Sequence, residues 1–342
     1  MYFKYRSFIF FVVVFFVACR SDEDNSQIIS IDLNTAPDNP LLMAENLIST
    51  PLFERDIAIH STYDEIIFTR GDYKQKYRCL VGTKKQGDTW TSPEILTISG
   101  TWQDIEPFFA NNGNRLYFSS NRPIYGDSTR SDYNIWYSDR KNNKWSEPIA
   151  LDSIINTTGD EFYPSLSRKG TLFFTATRPN GIGREDIFKA EFVNGKFNYP
   201  EPLSASINSV YYEFNAFISP DEDYIIFSSY GRSDDLGGGD LYISEKDSIG
   251  NWAPARNMGS GVNSPYLDFC PFVDADQRNL YFTSERISEK VGMINKISDL
   301  EKISNAIENG FGNIYKCGFE HIRKKGKRSE EHTSELQSPC NL

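Results

Sequence analysis

The sequence predicts an all-β protein, a five-bladed β-propeller of four-stranded blades closed by an N-terminal strand. An arginine that ends a short apolar run recurs five times along the chain, at spacings of 52, 56, 54 and 54 residues. Each repeat contains several short apolar runs separated by turn residues, and aromatic residues make up 14% of the chain. A fixed period with several short strands per unit is typical of a radial β architecture.

The repeat is clearest at residues 161–188, EFYPSLSRKGTLFFTATRPNGIGREDIF. It begins with an acid and a first strand, followed by a turn and a second strand that ends in arginine. A Gly-rich loop and an acid–apolar–aromatic trio come next. A fourth strand is marked by an aromatic residue and a proline, such as Trp145 and Pro148. The last repeat lacks this strand, so we expect residues 41–48 to supply it and to cover the sheet edge. Six blades are the alternative.

Composition excludes several kinds of function. The net charge of −11 argues against nucleic acid, whose phosphates require a basic surface. The five cysteines form no CxxC pair, and we expect Cys79 and Cys270 to be buried thiols rather than a disulfide. Two of the three histidines lie beyond the repeats, and His60 is expected to be a packed residue. No metal site, cofactor or Ser-His-Asp triad is therefore expected.

The N-terminus has the pattern of an export signal. Lys4 and Arg6 precede an apolar run that is too short to span a membrane and that ends before Cys19. We interpret residues 1–18 as a signal peptide and residues 19–40, which begin with an acidic run, as a polar tether. A plain signal peptide followed by a chance cysteine is the alternative.

The C-terminal end differs in composition from the repeats. We place the propeller at residues 41–316 and interpret residues 317–342 as a non-native tail. The text RSEEHTSELQS at 328–338 resembles a translated sequencing adapter. On this interpretation the tail, with Cys317 and Cys340, belongs to neither fold nor function.

One acid and one arginine of each repeat are predicted to meet at the same mouth of the channel, because the first strand begins where the second ends. A cross-strand ion pair is possible at this distance along a hairpin. A feature present in every blade favours a structural role, and direct ligand contact is the alternative. The predicted ring comprises Glu54, Glu106, Glu161, Glu213, Asp268, Arg70, Arg122, Arg178, Arg232 and Arg286.

Positions where the repeats differ are the better candidates for ligand contact. The second repeat has an enlarged loop at 123–132, and the fourth has tyrosines before its acid and two aspartates in its loop. A long insertion at 287–310 is predicted to contain a helix capped by Ser298. The candidate ligand residues are Tyr125, Tyr211, Tyr212, Asp234 and Asp235.

The repeats resemble the WD40-like repeats of TolB-type propellers over about residues 42–315, in the turn, the F-S-S-x-R strand end and the W-x-x-P strand. The junction Phe16-Val17-Ala18-Cys19 resembles a bacterial lipobox. This resemblance implies lipid on Cys19 and an outer-membrane lipoprotein. The acidic run after Cys19 resembles an export tag for the cell surface, and the periplasmic face is the alternative.

These observations favour a non-catalytic, monomeric envelope lipoprotein that binds a protein or glycan at the loop-rich mouth. The alternative is a carbohydrate-active enzyme, glycosidase-like or sialidase-like, that uses the acidic ring. Propeller glycosidases place carboxylates on inner strands. The segments assigned to the strand interiors, 57–59, 108–110, 165–167 and 216–218, contain none. An enzyme is therefore not the expected outcome.

Overall fold

The computed structural model describes residues 30–288, 293–320 and 322–323. Its sheets are the five antiparallel blades that the repeats predict, and each blade has four strand positions. Residues 1–29, which include Cys19 and the predicted signal peptide, lie outside the described residues, as does the adapter-like text at 328–338.

The strands follow the repeats in chain order. Blade one contains β2 (Phe53–Ile59), β3 (Glu65–Gly71), β4 (Arg78–Gln86), β5 (Thr89–Trp90) and β6 (Glu94–Ile95). Blade two contains β7 (Asp104–Ala110), β8 (Arg115–Ser120), β9 (Asn134–Lys141), β10 (Lys144–Trp145) and β11 (Ile149–Ala150). Blade three contains β12 (Glu161–Leu166), β13 (Leu172–Ala176), β14 (Asp186–Ala190) and β17 (Glu201–Pro202), with a side hairpin of β15 (Phe192–Val193) and β16 (Lys196–Phe197).

The last two blades differ in how their fourth position is filled. Blade four contains β18 (Tyr212–Ile218), β19 (Tyr224–Tyr230), β20 (Asp240–Glu245) and β21 (Arg256–Asn257). Blade five contains β22 (Asp268–Val273), β23 (Asn279–Ser284) and β24 (Asn313–Gly318), and its outer strand is β1 (Leu41–Leu42).

The first strands of the five blades, β2, β7, β12, β18 and β22, surround a common axis, since each contacts the inner strands of both neighbouring blades. Apolar side chains fill five clusters, one between each pair of adjacent blades. Phe118 and Ile67, for example, meet between blades one and two and are fully buried. Burial of this apolar area is the main stabilising contribution to such a disc.

The N-terminal strand closes the ring as the sequence predicts. In β1, Leu41 pairs with Lys316 and Leu42 with Tyr315 of β24. The amide of Met43 donates to the carbonyl of Ile314 at 2.8 Å, so the ladder continues beyond the strand itself. The first and last parts of the propeller are thus joined by hydrogen bonds within one blade.

The propeller begins earlier than the predicted boundary at residue 41. Ile31 and Leu33 are buried in the cluster between blades five and one. Lys316 Nζ donates to the carbonyl of Asp32 at 2.6 Å, and the amide of Gly318 donates to that of Pro37 at 2.7 Å. The second half of the predicted tether is therefore packed against the last blade.

The propeller also ends later than residue 316. Strand β24 runs through Cys317, which is fully buried and is paired with Leu280. Phe319 is buried as well, and Arg323 contacts Asp223 at 2.9 Å. The predicted boundary at residue 316 therefore falls inside strand β24, where a Lys/Arg-rich composition conceals the apolar alternation of the strand.

The insertion in blade five contains helix α1 (Ile297–Ser304), which has no buried residue. Its N-cap is Lys296 and not Ser298, and the Asp299 carboxylate accepts from the Lys296 amide at 3.0 Å. The helix therefore begins two residues earlier than predicted. In the described part of the chain no helix combines the length and apolarity needed to cross a bilayer.

The closing strand gives the first prediction. Met43→Pro removes the amide that bonds Ile314 and should lower the free energy of unfolding by about 3 kcal/mol. Met43→Leu keeps both the amide and a similar side-chain volume, so we expect it to cost less than about 1.5 kcal/mol. Urea unfolding followed by tryptophan fluorescence measures both; equal losses in the two variants would contradict closure through this bond.

Candidate functional site

The disc has two faces that differ in what they present. We call the end where the inner strands begin the ring face, and the end with the first hairpin turn of each blade the turn face. The turns of the turn face are residues 60–64, 111–114, 167–171, 219–223 and 274–278. The candidate residues of the sequence analysis lie toward the ring face.

Five buried acids form ion pairs with the five predicted arginines. Arg70 Nε contacts Glu54 at 2.9 Å and Arg232 Nη2 contacts Glu213 at 2.9 Å. The other pairs are Arg178 with Glu161 at 3.3 Å, Arg286 with Asp268 at 3.1 Å, and Arg122 with Asp104. The structure thus places Asp104, and not Glu106, opposite Arg122.

The partners of each pair are the same around the ring. Each arginine also donates to a carbonyl in the preceding linker, and its guanidinium lies 5.0–5.4 Å from a phenylalanine ring of its own second strand. The carbonyls belong to Ile48, Ile98, Ile155, Ile207 and Val262. Each carboxylate accepts from a hydroxyl just before its strand, at Thr50, Ser99, Thr157, Ser209 or Ser264.

All five acids of the observed pairs are fully buried. Burial raises the pKa of Glu161 to about 7 and raises those of Glu54 and Asp268, although the paired arginine opposes the shift. Since their oxygens accept from internal donors, these acids hold the linkers against the blades. The geometry supports the structural interpretation of the ring.

The predicted ligand-loop residues are not brought together at one site. The hydroxyl of Tyr125 donates to the carbonyl of Leu151 within blade two. Tyr212 accepts from Arg184 at 3.0 Å, and Tyr211 packs against Gly231. Asp234 and Asp235 both accept from the Tyr242 hydroxyl, at 2.8 and 2.7 Å. Most of the polar groups of these loops therefore bond to their own or the adjacent blade.

A set of residues that the sequence analysis did not select lies at the channel axis. Each inner strand has a bulge two residues after its ring acid, and the bulged residue has a positive φ although none is glycine. We call these residues the axial cluster: Asp56 (φ 59°), Glu106 (61°), Tyr163 (52°), Asn215 (50°) and Cys270 (54°). Left-handed backbone at such residues costs about 1 kcal/mol or more each, and such residues cluster at active and ligand-binding sites.

Hydroxyl groups of the neighbouring blade stabilise three of these bulges. The amide of Glu106 donates to Thr69 Oγ1 at 3.1 Å, and that of Asn215 donates to Thr175 Oγ1 at 3.1 Å. The amide of Asp56 donates in the same way to Thr283 Oγ1 at 3.3 Å. The backbone is therefore alike in the five blades, whereas the side chains that it directs at the axis are five different residue types.

Arg55 joins the two carboxylates of the axial cluster. Its Nε donates to Asp56 at 2.8 Å, and its Nη2 donates to Glu106 Oε1 at 2.9 Å and to Cys270 Sγ at 3.3 Å. Asn215 Nδ2 donates to the same Glu106 oxygen at 3.3 Å. The amide of Tyr163 donates to Glu106 Oε2 at 2.7 Å. Glu106 is thus the centre of the network.

Burial dominates the electrostatics of the axial cluster. It raises the pKa of Glu106 to about 7, against the opposing effect of Arg55, and a neighbouring Asp56 charge adds to the shift. The pKa of the Cys270 thiol is raised for the same reason. Cys270 is a free, buried thiol, as predicted, and Cys79 is a free thiol that is half-buried. The pKa of Glu106 therefore lies above that of an exposed glutamate.

Aromatic side chains lie on the ring-face side of the axial cluster. Phe162 and Phe214 are partly buried against it, and Tyr133 lies 5.0 Å from the Phe162 ring. Arg78 donates to Gln103 Oε1 at 2.7 Å beside Tyr133. Aromatic surface with a few convergent polar groups is typical of small-ligand sites.

On the turn-face side the axis opens into a cavity of about 660 Å³. Phe108, Phe217 and Phe272 line it, each two residues beyond a member of the axial cluster. The rings of Phe217 and Phe272 meet edge to face at 5.6 Å. Within the described chain, no group of three or more His, Cys, Asp and Glu side chains is arranged to hold a metal ion.

The sequence holds a signal that would have located the axial cluster. Its members follow the ring acids by two residues in every blade, so the segments examined for carboxylates began one or two residues too late. In blade two Asp104 and Glu106 stand two apart, and the acid chosen for the ring was the axial one. The segments assigned to the strand interiors therefore exclude the two axial carboxylates, Asp56 and Glu106.

No family model matches the sequence, and no curated protein matches it. Solved structures with some similarity include the α-L-arabinofuranosidase PaAbf62A from Podospora anserina in complex with cellotriose (TM-score 0.47, 12% identity, covering 83% of this chain and 98% of that chain). Others are a protein of unknown function from Dyadobacter fermentans (0.44, 13%, covering 73% and 79%) and the endo-arabinase from Bacteroides thetaiotaomicron (0.44, 16%, covering 70% and 89%). At this level of similarity no shared activity follows, and the resemblance to TolB-type proteins stays a prediction.

The ring gives the second prediction. Arg232→Met leaves the Glu213 carboxylate buried without its cation, and we expect the free energy of unfolding to fall by about 3 kcal/mol or more. Arg168→Met is the matched control, because the Arg168–Asp221 pair is exposed (68% and 60%) and should contribute less than about 1 kcal/mol. Urea unfolding at neutral pH compares them, and similar small losses would show that the ring is dispensable.

Proposed function

We propose that this propeller hydrolyses a glycosidic bond at the axial cluster, with the glycan entering from the ring face. The observation that carries the proposal is the pair of carboxylates, Asp56 and Glu106, held by one arginine at the axis, with the pKa of Glu106 raised to about 7. Glycosidic hydrolysis requires two carboxyl groups of which one retains a proton near neutral pH.

In this proposal the two carboxyl groups have different roles. Glu106 donates its proton to the leaving oxygen, because burial favours its neutral form. Asp56 serves as the second carboxylate and takes up the proton of the water whose oxygen bonds to the anomeric carbon. Arg55 Nε holds it in place by donating to it at 2.8 Å. Asn215 and the Tyr163 amide fix the two oxygens of Glu106. Phe162 and Phe214 supply apolar surface at the entrance.

A specific observation favours the second candidate, non-catalytic capture of a protein or glycan at the loop-rich mouth. Asp56 and Glu106 are only 1% and 3% exposed, and both Glu106 oxygens accept hydrogen bonds from the protein. On this view the axial cluster stabilises the channel, and binding uses the exposed loops, where Tyr211 is 44% exposed. Turnover separates the two candidates, since only the hydrolase requires a protonated Glu106.

The location of the protein belongs to the same proposal. A lipid anchor on Cys19 would hold a monomeric propeller at the outer membrane, where a cell-surface position supplies extracellular glycans and a periplasmic position does not. The run Asp22-Glu23-Asp24 after the anchor supports the surface position. Both features precede the first described residue, so they rest on the sequence.

The third prediction concerns turnover. Glu106→Gln keeps the side-chain shape and removes the proton donor, so hydrolysis of a panel of 4-nitrophenyl glycosides and arabino- and xylo-oligosaccharides should fall at least about 100-fold. Glu161→Gln is the matched control, because Glu161 is equally buried and has a similar pKa but lies in the ring. Unchanged turnover in Glu106→Gln, or no turnover by the wild type, would favour the binding candidate.

The fourth prediction concerns pH. The acid must be protonated, so kcat/KM should decrease as pH rises through about 7, the pKa of Glu106. The sign follows from the raised pKa, which keeps the proton on Glu106 above the pH at which an exposed glutamate loses it. A pH profile of the wild type that is flat between pH 5.5 and about 8 would exclude Glu106 as the acid.

A further inference from the structure

The turn-face cavity is separate from the proposed hydrolytic site. Phe108, Phe217 and Phe272 lie between it and the axial cluster along the inner strands, and the cavity opens at the opposite end of the channel. Its volume, about 660 Å³, is within the range of small-molecule sites, about 300–1,000 Å³. We call it the turn-face pocket.

The lining of the turn-face pocket is rich in aromatic rings. Beyond the three phenylalanines of its floor, Phe109, Phe192 and Phe197 belong to its wall. Phe192 is 46% exposed although it is a large apolar residue, and its ring lies edge to face with that of Phe197 at 5.0 Å. A planar aromatic body would meet such edges and faces favourably.

The rim of the turn-face pocket is basic in a protein whose net charge is −11. Arg115, Arg168 and Lys169 line it, and Asp274 is its single acidic lining residue. Asp274 is only 3% exposed and accepts from the Arg278 and Asn279 amides at 2.7 and 3.2 Å. Its carboxylate is therefore directed into its own turn.

The existing partners leave room for an anion at this rim. Arg115 is bound to Asp139 at 2.7 Å, so it contributes little net charge. Arg168 and Lys169 are both exposed and lie on one turn, where the Arg168–Asp221 pair is open to solvent and Glu222 lies near Lys169. Such exposed pairs are weak, so a ligand anion can compete for Arg168.

We propose that the turn-face pocket binds a small aromatic anion, with the ring system on the phenylalanine floor and the negative group at Arg168 and Lys169. The site is independent of the hydrolytic proposal, since it shares no residue with the axial cluster. A ligand bound here would occupy the axis from the side opposite to the glycan entrance.

Two fluorescent probes with the same aromatic body test the proposal. 8-Anilinonaphthalene-1-sulfonate carries the negative group, and N-phenyl-1-naphthylamine lacks it. We expect the purified protein to bind the sulfonate. The double variant Arg168→Glu, Lys169→Glu should weaken the sulfonate about tenfold or more and change the neutral probe less than about twofold.

Two further variants locate the binding. Ser61 is an exposed lining residue, and Ser61→Trp should narrow the cavity and weaken binding of both probes. Lys74→Glu with Lys76→Glu is the matched charge control, because both lysines are exposed on a ring-face loop, and it should alter neither affinity. Circular dichroism checks that each variant is folded.

The proposal is overturned if folded Ser61→Trp still binds the sulfonate with wild-type affinity, since the probe then lies elsewhere. It is also overturned if the Arg168, Lys169 variant loses no more sulfonate affinity than the Lys74, Lys76 variant. Glu106→Gln should leave both probes unaffected, so failure of the hydrolytic proposal and failure of this one give different results.

Discussion

The buried pair of a carboxylate and a guanidinium, repeated once per blade, is the interaction on which this propeller depends. Each pair links three parts of a repeat: the first strand through its acid, the second strand through its arginine, and the incoming linker through a carbonyl such as that of Ile207. Two buried charges gain little net free energy, but removing one partner is costly. The pairs therefore fix where each blade begins more than they add to overall stability.

The strand register that these ion pairs set also positions the axial cluster. Once the acid at Glu213 is fixed, the residue two positions later enters a bulge at the channel axis, and the five blades can present five different side chains there. A symmetric backbone thus supports an asymmetric cluster, which is what a binding or catalytic site requires. The same inner strands also form the opposite end of the channel, because Phe217, two residues beyond the bulge, lines the turn-face pocket.

The fold could be predicted because a repeated pattern averages out local ambiguity. Five arginines at a near-constant spacing define the blades even where one copy, such as that around Arg70, lacks the Gly-rich loop. The missing fourth strand of the last repeat also predicts closure by Leu41–Leu42, which the structure contains. These features depend on period and strand number, and a single sequence displays both.

The axial cluster and the chain boundaries could not be predicted in the same way. A bulge at Glu106 or Tyr163 carries no glycine, and its position two residues after a ring acid becomes a signal only once the ring acids are known, so alternation alone misassigns which side chains reach the axis. Ile31 and Leu33 stand in a polar segment whose composition resembles a linker, and Cys317 follows the last recognisable motif. Their burial depends on contacts with distant strands.

Closure within the last blade has a consequence for how the chain acquires its structure. Leu42 pairs with Tyr315, so the ladder that seals the disc joins residues from nearly opposite ends of the sequence. Such non-local pairing requires a long loop to close, at a cost in chain entropy, before the contacts between its ends can stabilise the fold. Topologies of this kind fold slowly. A nascent chain can form its early blades one by one, but the circular arrangement is completed only when the final β-strand emerges.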